Sequence, residues 1–244
     1  MTALGARGRI DDTVDNRRLQ ALLVVLSVTA GCTDIISFLG LNGLFTAHIT
    51  GNLVILAAHF FNGQSQLAPM LSVPVFIVAI GLARLLATSL ELRGWASLQP
   101  LLLLQFLLLA GFLSLCVAAG PRNDPNGTVE IIAGMLGVTA MAVQNALVQI
   151  SLKGAPATAA MTGNVTLFAM SVGEILDGGD PANIAEARKR AVRTLPAILG
   201  FAVGCGLGAA CETAIGLRSL VLPTSLALIA FAVGFTVAPN ARLR

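Results

Sequence analysis

The sequence predicts an all-α, polytopic membrane helical bundle, and three observations carry that expectation. Of 244 residues, 56% are apolar and only 11% are Asp, Glu, Lys or Arg, less than half the roughly 25% charge of a soluble domain. Eight apolar stretches are long enough to enter or cross a hydrocarbon core about 30 Å thick. The chain has 25 glycines and no tyrosine, and small residues at this frequency let helix backbones approach in lipid. The same numbers exclude a soluble globule, a nucleic-acid binder and a disordered chain. The partner implied is a lipid bilayer.

Residues 1–18 read as a tail rich in Arg: Arg7, Arg9, Arg17 and Arg18. The apolar run that follows ends in Gly31-Cys32 and has the outline of a cleavable signal. Thr29 stands where such a site wants a bulky apolar residue, and hydrophobicity continues through Ile35, Ile36, Phe38, Leu39 and Leu41. An uncleaved first span over 19–41 is the better reading. Further full-length spans follow at 70–90, 98–119, 130–152, 193–213 and 217–237. Two more stretches, 44–62 and 158–176, carry polar residues in their first halves. Asp180-Pro181 is a helix start, a capping carboxylate with Pro in the first turn, and Glu186 and Arg190 four residues on support a solvated helix near 180–192. Residues 238–244 close the chain as a second tail.

With eight crossings, eleven Lys and Arg fall on the side of the termini and three on the other; with six, if the two polar stretches only dip in, the split is twelve to two. Either way the positive-inside rule expects both termini in the cytoplasm.

Thr50-Gly51-Asn52 recurs as Thr162-Gly163-Asn164, and the stretches 45–58 and 157–170 agree at six of fourteen positions. The pattern predicts two repeated halves, 19–120 and 121–237, of about four membrane segments each. Glycine loosens a helix, while Thr and Asn satisfy backbone groups that a break sets free. The TGN helices are therefore expected to be discontinuous, the alternative being a helix-packing motif.

Polar residues inside spans carry the candidate site, because a membrane-embedded charge costs about 2.5–3.5 kcal/mol on insertion scales. Asp34, Arg84, Gln105, Gln144 and Asn145 fall at nearly one depth if all eight stretches cross. That layer predicts a polar cavity between the halves, with Asp34 and Arg84 as an ion pair and Thr50, Asn52, Thr162 and Asn164 on its wall. A six-span chain reverses 70–90 and puts Arg84 about 10 Å deeper than Asp34, which breaks the layer; eight crossings are the expectation on that ground. The competing reading of the pair is a lock between two helices.

Gly200, Gly204 and Gly208 make a close-contact stripe, within the bundle or between protomers of a homo-oligomer. Cys32, Cys116, Cys205 and Cys211 form no CxxC pair and have no His beside them, so buried apolar packing is the reading and no metal or cofactor is expected. Only His48 and His59 occur, and no nucleophile or metal-ligand spacing appears. An enzyme is not expected.

The stretch GCTDIISFLGLNGLFTAHITGNLVIL (Gly31–Leu56), with Gln144-Asn145-Ala146 followed by ATAAMTGNVTLF (Ala157–Phe168), resembles the YoaK-like bacterial membrane proteins over nearly the whole chain. His48 stands where that family more often has a small or polar residue, so no role is carried onto it. The resemblance implies a multi-pass inner-membrane protein of unknown biochemical function. The functional expectation is a permease or channel-like transporter of a small solute, against a non-transporting assembly or sensory component whose polar layer is structural.

Overall fold

The computed structural model describes residues 3–61, 67–120 and 127–237, with side chains from Asn16 onward. Eight α-helices follow in order: α1 (Ala3–Gly40), α2 (Ile49–Phe61), α3 (Leu67–Leu92), α4 (Leu98–Ala119), α5 (Thr128–Ser151), α6 (Met161–Asp177), α7 (Pro181–Ile215) and α8 (Val221–Gly234), with a 3-10 stretch at Gly216–Leu220 before α8. The predicted all-helical membrane bundle is what the chain forms. The tail 238–244 and Arg122 lie outside the described residues, as do the side chains of Arg7 and Arg9.

Five described stretches are long and apolar enough to cross a membrane: Asn16–Gly40, Leu67–Leu92, Leu98–Ala119, Thr128–Ser151 and Pro181–Gly234. The last turns back at Gly216, where φ is +61°, so α7 is one pass and the 3-10 stretch with α8, Gly216 to Gly234, makes a second of about 30 Å. The α2 helix has only 13 residues, about 20 Å of rise, too short to cross alone. Large apolar side chains cover the outside, among them Val54, Ile77, Val78, Leu82 and Leu85, as lipid contact requires.

Helix directions follow from the contacts. Gly200, Gly204 and Gly208 of α7 meet, in turn, Ser27, Val28 and Cys32 of α1. Both numbers rise together, so α1 and α7 are parallel. Gln144 bonds Leu26 while Gly134 meets Leu41 and Leu44, so α5 runs against α1. Gln105 bonds Gln144 while Gly111 meets Leu136; α4 runs against α5. Thr224 reaches Leu109 and Gly234 meets Leu102; α8 runs against α4. Short hairpins make α3 opposite to α4 and α6 opposite to α7. The α2 helix is joined to α3 by residues 62–66 and bonded near its start to Ser72, so it too opposes its successor.

These directions make α2 parallel to α1, and α6 parallel to α5. A helix that points the same way as the span before it requires the chain to double back first. Thr46 and Ala47 lie beside Asp34, six residues before the end of α1, and Thr158 lies beside Gln144, seven before the end of α5. Each loop thus retreats roughly 9–10 Å into the bundle, and the short helix leaves by the face its loop entered. Six passes result, with two re-entrant helices inserted from opposite faces. The expectation of eight crossings fails because hydropathy and length record how apolar a segment is, not which way it points.

The core is built around α1 and α5. The α1 helix packs chiefly on α7 and α8, while α5 packs chiefly on α3 and α4. A Cβ at Gly31 would collide with the Phe201 carbonyl, and one at Gly204 with that of Val28, so glycine on both helices is what permits this approach. Of the two readings of the Gly200, Gly204 and Gly208 stripe, the structure shows the contact within the bundle: all three are buried against α1. At the foot of α7 the Asp180 carboxylate accepts from the Ala182 N–H at 3.2 Å, with Pro181 in the first turn. The sequence-predicted solvated helix is the first third of one continuous 35-residue helix.

Candidate functional site: two pinned re-entrant loops

The first loop, 41–48, is held by α1. Asp34 is 3% exposed, and its Oδ1 accepts from the backbone N–H groups of Thr46 at 2.8 Å and Ala47 at 2.7 Å. Thr46 Oγ1 donates to the same oxygen at 3.3 Å. The other oxygen, Oδ2, lies 2.6 Å from His48 Nδ1. A carboxylate offers only acceptors, so Nδ1 is the nitrogen that carries the proton. The His48 ring also meets Phe201 of α7 edge-on, with centroids 5.4 Å apart. This hydrogen bond ties the loop to α1, and the ring contact shields it with α7.

Asn52, in the first turn of α2, closes the same loop from the other side. Its Oδ1 accepts from the Phe45 N–H at 2.9 Å, and its Nδ2 donates to the Phe45 carbonyl at 2.7 Å and to Ser72 Oγ at 2.8 Å. A side chain at Gly51 would meet the Phe45 ring at 2.9 Å, which explains the glycine of this TGN. The second loop repeats the device: Asn164 Nδ2 donates to the Ala157 carbonyl at 2.7 Å. In both, the asparagine bonds a carbonyl seven residues earlier. No heavy atom lies within 4 Å of a Cβ at Gly163, so packing does not require the second glycine.

The second loop is held by amides rather than by a charge. Gln144 Nε2 donates to Thr158 Oγ1 and to the Leu26 carbonyl, both at 2.9 Å, and Gln144 Oε1 accepts from Gln105 Nε2 at 2.7 Å. Gln105 and Gln144 are fully buried. This chain links α4, α5, α1 and the loop at mid-depth.

The predicted single cavity does not form among the described residues. Asp34 pairs with His48 and not with Arg84. Arg84 lies on the exposed face of α3 and has no ion pair or hydrogen bond among the described residues. The reversal of α3 is the reason, since it carries Arg84 out of the depth of Asp34. Thr50 and Thr162 are exposed, Asn145 bonds the Met141 carbonyl on its own helix, and Asn52 and Asn164 sit in separate buried contacts. Only Gln105 and Gln144 meet as their common depth implied. His48, Thr46 and Ser72 were missed as partners; the signal available for His48 was its place fourteen residues after Asp34 in one motif.

Asn164 borders a pocket of its own, with Arg190, Arg193 and Thr194, and a separate polar space lies at the ends of α1, α4, α5 and α7 farthest from the termini. There a cavity of about 540 Å³ is lined by Asn42, Cys116, Glu130, Glu212 and Arg218, among apolar neighbours.

A family model described as a protein of unknown function, DUF1275, matches residues 22–233, which spans every helix from the first pass to the last. The chain belongs to the DUF1275 family. The match supports the coarse form of the resemblance drawn from the motifs, an uncharacterised membrane family, and not the YoaK-like name. Comparison with curated proteins and with solved structures found no match. The DUF1275 match includes both pinned loops and both TGN helices.

Proposed function

We propose that this DUF1275 protein is a transporter of a small solute in a bacterial inner membrane, with both termini in the cytoplasm. The observation that carries the reading is the pair of re-entrant helices entering from opposite faces, each closed by an asparagine bonded to the carbonyl seven residues before it. Three passes per half give the halves opposite orientations, so they are related by an axis in the membrane plane. Inverted halves with interrupted helices are a recurrent plan for alternating access. The crossed packing, α1 on the last two helices and α5 on α3 and α4, supports common ancestry of the halves. With six passes, twelve Lys and Arg lie on the side of the termini and two on the other, which favours cytoplasmic termini.

The test is solute flux in proteoliposomes with Asn52→Ala and Asn164→Ala. Transport reduced in both, with folded protein retained, fits the reading; transport unaffected by either change removes the loops from the mechanism. The second reading, an assembly or sensory component, is favoured by the separate, buried contacts of Asp34 and Asn52, which do not share a cavity with Asn164. It predicts that the same changes lower folded yield and that no solute moves.

A further inference from the structure

The geometry points to the cavity at the far ends of α1, α4, α5 and α7 as a binding site for a small zwitterion, an amino acid or a similar aminocarboxylate. This deepens the transport reading and rests on it for the role, though not for the binding.

Glu130 on α5, Glu212 near the end of α7 and Arg218 on the 3-10 stretch line one cavity of about 540 Å³. Two acids and one base beside the same space would ordinarily neutralise one another. Among the described residues none of the three forms an ion pair, so no guanidinium nitrogen comes within 4 Å of either carboxylate. Glu130 Oε1 is shut off from solvent and has no hydrogen-bond partner among the described residues. A carboxylate oxygen without a donor is unfavourable, and no described group of the protein supplies one.

A ligand with an ammonium at one end and a carboxylate at the other answers both demands at once. Its ammonium supplies donors to Glu130 and Glu212, and its carboxylate accepts the planar fork of Arg218. Val117, Ala133 and Leu217 add apolar surface to the wall, which suits an aliphatic side chain. Cavities of roughly 300–1,000 Å³ are the usual size for small-molecule sites. Gly40, at the end of α1, packs against the Leu217 side chain at the border of the site. A simple cation would leave Arg218 unanswered and add to its charge. A simple anion would be repelled by two carboxylates.

The experiment measures binding to the full-length protein in nanodiscs, by calorimetry, using L-alanine, L-serine and L-leucine as probes. L-alaninamide, which lacks the carboxylate, and N-acetyl-L-alanine, which lacks the ammonium, serve as controls. At least one amino acid should bind, both controls should bind at least tenfold more weakly, and Glu130→Gln and Arg218→Gln should each weaken binding at least tenfold. Thermal unfolding without ligand verifies that both variants fold. Binding of none of the three amino acids, or equal binding by both folded variants, overturns the site. Flux of the bound amino acid into proteoliposomes separates the two claims. Binding without flux retains the site and removes transport; flux that both variants leave intact retains transport and removes the site.

Discussion

Asp34→Ala is the sharpest perturbation of the re-entrant architecture. The carboxylate is the only acceptor the structure gives to the N–H groups of Thr46 and Ala47, which belong to buried residues. Truncation leaves two orphaned donors and releases His48 from its 2.6 Å contact. At about 1–3 kcal/mol for each buried donor, with polar contacts in membranes at the low end of their range, the loss should be about 3 kcal/mol. Asp34→Asn keeps an oxygen where Oδ1 stands and turns an amide toward His48, whose ring can accept after a change of tautomer. Its loss should be about 1 kcal/mol. Unfolding of both variants in mixed detergent and SDS micelles gives the two numbers directly. A double change of Asp34→Asn with Arg84→Ala should be additive within about 0.5 kcal/mol, because the residues share no partner. The reasoning would be refuted by Asp34→Ala unfolding like the parent, or by strong coupling between positions 34 and 84.

Other outcomes follow from single contacts. Gly204→Ala should destabilise by more than about 2 kcal/mol, since the new methyl meets the backbone of Val28, whereas Gly206→Ala, with nothing within 4 Å, should be neutral in the same unfolding assay. Arg84→Leu should raise membrane insertion and folded yield, because it removes an unpaired cation from an exposed apolar face at an insertion cost of about 2.5–3.5 kcal/mol; a collapse in yield would mean that the guanidinium has a partner. Asn52→Ala should destabilise more than Asn164→Ala, by about 1 kcal/mol, as Asn52 also bonds the Phe45 N–H and Ser72. Single cysteines at Phe61 and Lys153, tested with a membrane-impermeant thiol reagent, should label from the face opposite the termini at Phe61 and from the face of the termini at Lys153 under six passes; the reverse assignment would restore eight.

The sequence carried most helices because they are apolar and bounded by turn residues, and polar residues clustered at 46–52 and 158–164 marked the two irregular stretches. The expected break at TGN is instead a loop before it, since both TGN motifs lie in the unbroken first turns of α2 and α6. It also carried the α7 start at Asp180-Pro181 and the glycine stripe, though not the stripe's partner. Direction was illegible. A re-entrant helix and a crossing helix have the same composition, and only contacts such as Thr46 to Asp34 reveal the retreat of the chain. The Asp34–Arg84 pairing was lost with it, since equal depth was inferred from a passage count. Thr50 and Thr162 were grouped with their asparagines by motif, but two residues along a helix is about 200° of rotation, so when Asn52 and Asn164 turn inward the threonines turn outward.

The two loops also differ in what each one holds together. Asp34 binds its loop to the helix that precedes it, and His48 adds a contact with Phe201. Gln144 binds the second loop but also spends one hydrogen bond on α1, through the Leu26 carbonyl, and one on α4, through Gln105. Both residues are fully buried, so Gln144→Leu would remove hydrogen bonds to three separate elements, whereas Asp34→Ala frees only the first loop. Their chemistry fits that division. A carboxylate gathers several donors at one point, which suits tying down a short loop, while an amide both donates and accepts and can therefore bridge an acceptor on one helix and a donor on another.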